Sequence, residues 1–225
     1  MNLFLTSNIG GIKKVDGKKI ADFFSNENNF LDELKNSFKD YKKFVLVASN
    51  PHSIEQNSFY LELDKEALNM SGLYFDEYVV LDYRNKNKVE ETLKDASLIF
   101  LCGGDTYVQN MFFNEIDLKR YVQNIDTVIV GISAGSINSA DVVFNSPEKE
   151  EDLEHPCILS GLSLTNLNIE PHFELNNTNE IQANAIMEES YNRTIYGIPD
   201  GSYIKDDKFL GRYYKIFEGK IEEVK

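Results

Sequence analysis

The chain has 225 residues, 42% of them hydrophobic, enough to bury a sizeable core. Twenty-three basic residues against 37 acidic ones leave a formal charge of −14, which argues against nucleic acid or an anionic membrane as a partner. The start MNLFLTSN lacks a signal-peptide pattern, and no stretch nears the roughly 20 apolar residues of a membrane span.

Short apolar runs alternate with amphipathic ones. Asn2–Thr6 reads as a strand, and Asn28–Tyr41 has helical spacing at Phe30, Leu31, Leu34 and Phe38. Phe44–Ala48 is a continuous apolar run, as expected of a strand covered on both faces. A helical stretch from Ser53 to Met70 is followed by a strand at Tyr78–Leu81, a short helix at Lys88–Ala96 and a buried strand at Leu98–Leu101. Asp105–Phe113 and Asp117–Asn124 read as helices, and Thr127–Val130 as the next buried strand. This alternation predicts parallel pairing with helices on both faces of one sheet. After Ser160, Ile181–Met187 reads as a helix. Thr194–Ile198, Ser202–Ile204, Phe209–Leu210 and Tyr213–Phe217 then read as short strands between Gly and Asp turns. The expectation is one domain over residues 1–225, its last part an antiparallel extension of the same sheet. The two cysteines, Cys102 and Cys157, make neither a disulfide framework nor a metal cluster, so a soluble, reduced, cytoplasmic protein is expected.

The segment Gly131-Ile132-Ser133-Ala134-Gly135 stands between a predicted strand and a predicted helix, the setting of a nucleophile elbow. Such a turn projects the serine hydroxyl above the sheet edge, while the glycines leave room against neighbouring backbone. The Ala134 amide then faces a developing oxyanion. The bland alternative is a tight turn with an incidental serine. A second turn, Cys102-Gly103-Gly104-Asp105-Thr106, ends at the same edge if the strands are parallel. Its amides supply further donors, with Asp105 as a helix N-cap. Cys102 is either buried or lines the site.

A serine nucleophile needs a base, and there are three histidines. His172, after Pro171 at the end of an apolar run, ranks first by position. His52 ranks second, and His155, in an acidic loop, last. The orienting acid is open among Glu148, Glu150, Glu151, Asp152, Glu170 and Asp200, most of which belong to solvated faces.

CGGDT, GISAGS, NIEPHF and GIPDGSYI, in this order and approximate spacing, resemble the S51 serine peptidases, the family of aspartyl dipeptidases and cyanophycinases. The resemblance spans nearly the whole chain, from LFLTSN to GIPDGSYI. It implies a class I glutamine-amidotransferase-like three-layer α/β/α sandwich with a mostly parallel sheet, in which Ser133 replaces the usual elbow cysteine. It also implies Ser133 as nucleophile, His172 as general base, and Gly104 and Ala134 as oxyanion donors. The acid falls by spacing on Glu148, or on Glu150 or Glu151 if one or two residues are inserted. One departure bears on substrate. The aspartyl dipeptidases carry an arginine after the histidine, but Phe173–Ser190 contains no Lys or Arg and holds Glu174, Glu180, Glu188 and Glu189. Strict Asp-Xaa specificity is therefore not expected. An acidic rim there would favour an amino group or a basic side chain.

The leading expectation is a cytoplasmic serine exopeptidase or dipeptidase for small peptides, monomeric or homodimeric, with no metal or organic cofactor. It would bind neither nucleic acid nor membrane. An esterase fits less well, because His172 follows Ser133 too closely and no HGGG motif is present. A non-catalytic ligand-binding member of the same fold is the reading from another class.

Overall fold

The computed structural model describes residues 1–176 and 178–225. Strand β1 (Asn2–Thr6) leads into a hairpin of β2 (Gly10–Val15) and β3 (Lys18–Phe24), which the apolar pattern did not announce because most of its side chains face solvent. Helix α1 (Phe30–Lys35) is shorter than the helical spacing suggested. Asn28 and Asn29 take left-handed φ values of 51° and 63°, which hold the chain out of a helix until Phe30.

There follow β4 (Lys43–Val47), α2 (Ile54–Met70), β5 (Glu77–Leu81), α3 (Val89–Leu93), β6 (Ala96–Leu101), α4 (Thr106–Glu115), α5 (Leu118–Val122) and β7 (Val128–Ile132). Asp105 caps α4, accepting from the Val108 amide at 2.8 Å. After β7 comes a single turn of helix, α6 (Ala134–Ile137), then β8 (Val142–Phe144), β9 (Ile158–Ser160), β10 (Asn168–Pro171) and α7 (Glu180–Glu189). The chain closes with β11 (Ile195–Ile198), β12 (Tyr203–Lys205), β13 (Lys208–Leu210), β14 (Tyr213–Phe217) and β15 (Lys220–Val224).

The central sheet has the order β13-β12-β1-β7-β6-β4-β5. From β1 to β5 every pairing is parallel, and β12 and β13 add an antiparallel edge. Alternation along each strand divides the core in two. Leu3, Leu5, Val45, Val47, Ile99, Leu101 and Ile129 face one layer, with Val89, Leu93, Phe112 and Val122 from α3 to α5. Phe4, Phe44, Leu46, Leu98, Phe100, Val128 and Val130 face the other, with Leu34, Leu63, Ala67 and Leu68 from α1 and α2. Strands apolar on both faces through their middles thus sit between two helical layers, and the fold is a mostly parallel α/β/α sandwich.

The C-terminal part differs from expectation. Only β12 and β13 extend the central sheet, whereas β10, β11, β14 and β15 form a second sheet in that order. Strands β10 and β11 pair in parallel, which needs a crossover, and α7 supplies it. That helix buries Ile186 with Phe173, Ile195, Tyr214 and Ile216. Alternating short strands read alike for either arrangement, so the pattern did not separate them. Among the described residues, no helix is long and apolar enough to cross a membrane.

Candidate active site

The parallel strands end at one edge, and the loops leaving Thr6, Val47, Leu101 and Ile132 gather there. Ser133 is the first residue beyond β7. Its backbone is held at φ 50°, ψ −110°, a conformation that costs on the order of 1–3 kcal/mol for a side chain larger than glycine. The surroundings enforce it. The Ser133 amide donates to the Thr6 carbonyl at 2.9 Å, and the Ser136 and Ile137 amides donate back to the Ser133 carbonyl. The Ser136 hydroxyl accepts from the Thr6 amide at 2.8 Å and donates to the Thr6 carbonyl at 2.7 Å, riveting α6 to β1. A Cβ on Gly131 would lie 2.8 Å from the Ser136 nitrogen, and one on Gly135 would strike the Leu101 carbonyl. Both glycines are steric requirements of the turn.

The Gly103-Gly104 turn lies against this elbow. A Cβ on Gly103 would stand 3.4 Å from Cβ of Ser133. Gly104 is at φ +146°, with Ser49 where its side chain would be. Gln109 donates to the Cys102 carbonyl at 2.7 Å and fixes the turn from below. Among the described residues, the amides of Gly104 and Ala134 donate to no protein acceptor. Cys102 is half-buried, and burial pushes its thiol pKa well up, helped by the nearby Asp64 carboxylate.

His172 is the first residue beyond β10, and Asp200 the second beyond β11. Parallel pairing of Pro171 with Ile198 sets the two loops side by side. His172 Nδ1 lies 2.6 Å from Asp200 Oδ1, and Asn8 donates to the other carboxylate oxygen at 3.4 Å. With the Nδ1–H donating to the Asp200 carboxylate, Nε2 is left as the free acceptor. His172 also has a left-handed backbone, φ 57°. Its amide donates to Ser7 Oγ at 3.1 Å, and Ser7 Oγ donates to the Ile198 carbonyl at 2.6 Å. The consecutive residues Thr6 and Ser7 therefore hold the Ser133 amide on one side and the His172 amide on the other.

The carboxylate on His172 is thus Asp200, not Glu148. Glu148 is exposed; its amide donates to Asp152 at 2.9 Å and its carbonyl accepts from Asn179 at 2.9 Å. Glu150 and Glu151 lie exposed in a 3-10 turn over Glu150–Glu154. Among the described residues, none of the three hydrogen-bonds His172. Spacing along the chain follows this acidic loop but not the strand pairing that delivers Asp200 from 28 residues beyond His172. The signal was present in GIPDGSYI, an Asp-Gly turn closing an apolar strand.

The other histidines stand apart from this pair. His52 packs at a tilt against Tyr83 with centroids 4.4 Å apart, and His155, in the acidic loop, stacks on Tyr107 at 4.2 Å. Glu170 is buried on β10, accepting from Ser146 at 2.7 Å and from Gln182 at 2.9 Å. Burial, with Glu148 nearby, pushes its pKa up to about 8 against these two hydrogen bonds. The acidic rim is partly neutralised, because Glu174 pairs with Arg212 and Glu189 with Arg193 at 2.5 Å.

A strained serine at the end of a central parallel strand, with glycines cleared around it, defines a hydrolase-type α/β/α sandwich. A model described as Peptidase family S51 matches residues 19–209, and the chain belongs to that family. It is a hydrolase of the serine peptidase class. Two solved structures share the fold at low identity. The chain is similar to a peptidase from an acI-B1 Actinobacterium, with TM-score 0.70 and 15% identity over 99% of this chain and 93% of that one. It is also similar to a putative peptidase E protein from Listeria monocytogenes EGD-e, with TM-score 0.61 and 17% identity over 100% and 98%. No curated protein sequence matches the chain significantly.

Proposed function

We propose that the protein is a serine exopeptidase or dipeptidase acting on small peptides, with Ser133 as nucleophile, His172 as general base and Asp200 as the residue that orients the base. His172 Nε2 takes the Ser133 hydroxyl proton as Oγ attacks the peptide carbonyl. The amides of Gly104 and Ala134 stabilise the oxyanion. The C–N bond breaks, the imidazolium gives its proton to the leaving amine, and water hydrolyses the acyl-enzyme by the same steps. One observation carries the reading. The imidazole–carboxylate pair and the strained serine hang from adjacent residues, Ser7 and Thr6, at the edge where the amides of the glycine turn are free.

Intact-mass analysis after treatment with a small fluorophosphonate tests it. The native protein is expected to gain one adduct, absent from Ser133→Ala and slowed at least 100-fold in His172→Ala. No adduct together with no cleavage of a dipeptide panel would leave a ligand-binding member of the fold. Absence of Lys and Arg from Phe173–Ser190 further predicts that Asp-Leu is not the preferred dipeptide.

A further inference from the structure

A cavity of about 380 Å³ opens beside the candidate nucleophile. The segments after β4 and β6 wall it together with the stretch from Asn8 to Ile12, and Ile132 and Gly103 line it next to Ser133. Strands β4 and β6 lie on the flank of β7 opposite β1, the strand from which His172 is held, while Asn8, which donates to Asp200, lines the edge of the cavity nearest that pair. Ile9, Ile12, Leu46 and Ala48 give the cavity an apolar lining. Asn57, Tyr60 and Asp64 enter from one face of α2, at the spacing i, i+3, i+7.

Asp64 is the anomaly. It is half-buried, and among the described residues its carboxylate has no hydrogen bond and no ion pair. The other charged side chain on the cavity wall is Asp105, already committed to capping α4. Among the described residues, no Lys or Arg lines the wall. Lys19, at the periphery, is hydrogen-bonded to the Tyr60 hydroxyl and lies over its ring. Burial without a counter-charge pushes the Asp64 pKa up to about 7. A carboxylate left unpaired in an apolar recess is costly unless something else supplies the cation.

The direction of the chemistry says what that is. The base must hand its proton to the leaving amine, so the leaving group lies towards His172. The acyl residue then lies on the other flank, with its carbonyl oxygen at the glycine turn and its side chain in the cavity. A volume of 380 Å³ exceeds what an ammonium group alone would fill. An apolar stretch of wall leading to the Asp64 carboxylate suits a methylene stem with a cationic head.

We propose that this cavity takes the lysine or arginine side chain of the residue whose carbonyl Ser133 attacks, with Asp64 as its anionic partner. The assignment rests on the peptidase reading, and two measurements separate their fates. Binding of Lys-Leu and norleucyl-Leu to Ser133→Ala is measured by calorimetry, with and without Asp64→Asn. The two peptides share the α-amino group and differ in the terminal ammonium. Lys-Leu is expected to bind at least tenfold tighter, and Asp64→Asn to bring the two within twofold. Equal binding, no binding of either, or a lysine preference that survives Asp64→Asn would overturn the cavity assignment. Among the described residues Asp64 makes no hydrogen bond, so Asp64→Asn breaks none, and an unchanged or raised Tm checks its fold. The native protein's fluorophosphonate adduct is read alongside. An adduct without lysine preference sinks the cavity alone. Lysine preference without an adduct keeps the cation pocket but overturns its place in the reaction.

Discussion

The two halves of the candidate site are held by different physics. Ser133 is fixed by sterics: it sits between two glycines whose missing side chains are occupied by backbone, at the end of a strand buried on both faces. His172 and Asp200 are fixed by hydrogen bonds, on side chains 50% and 55% exposed, at the end of a smaller sheet. The contrast teaches that errors in the first half are structural and errors in the second are chemical. A change at the elbow displaces the central sheet, whereas a change at the pair leaves the fold standing and alters the proton path.

The largest effect is expected at Gly135. Its added methyl would occupy the position of the Leu101 carbonyl, and β6 and β7 leave no room to move. Gly135→Ala is expected to cost roughly 3 kcal/mol or more, at or beyond the upper range for overpacking. Gly17→Ala, in the exposed hairpin turn where nothing lies within 4 Å, should cost only about 1 kcal/mol through its φ of +77°. Urea denaturation of both variants checks this. Equal losses would mean that the elbow is more plastic than its contacts indicate.

The next effect sharpens the chemical half. Asp200→Asn removes the charge that fixes the His172 tautomer and keeps the size of the side chain. It is expected to lower kcat by roughly 10²–10⁴ with Tm within about 2 °C. Glu148→Gln should leave kcat within about twofold. A reversed ranking, read by steady-state hydrolysis on the same substrate, would return the orienting role to the acidic loop.

The same contrast explains what could be read from the sequence. The central sheet was legible because strands buried on both faces are continuous apolar runs, and those runs fixed which turns lie at their ends. Ser133, Gly104 and Ala134 follow such strands directly. The Asp200 contact depends on β10 pairing with β11 across a helix, and nothing in Asn168–Pro171 or Ile195–Ile198 encodes that neighbour. Asp64 was equally hidden. On α2 it reads as one more polar position, and only the packing of the β2–β3 hairpin and the glycine turn over that helix face turns it into the wall of a cavity.

The last of these effects depends on pH and lies beneath the His172–Asp200 pair, where Glu170 is buried two residues before His172. Its pKa rises from 4.5 in the unfolded chain to about 8 in the fold, chiefly through burial. The folded state therefore holds a proton that the unfolded state releases. Stability from this group is complete below pH 4.5 and falls as pH rises, until it is lost above about pH 8. At pH 7 the loss amounts to roughly 3 kcal/mol. Glu170→Gln keeps an acceptor for Gln182 and presents an NH2 group to Ser146, whose hydroxyl turns from donor to acceptor, but it cannot ionise. Its urea midpoint should match the native protein near pH 4.5 and exceed it progressively towards pH 8. Asp64 titrates in both proteins with the same sign, so the difference between them isolates Glu170. Parallel curves would mean that Glu170 is ionised in the fold. The strand beneath His172 would then carry a buried negative charge, and the base would be held by electrostatics from below as well as by Asp200 from the side.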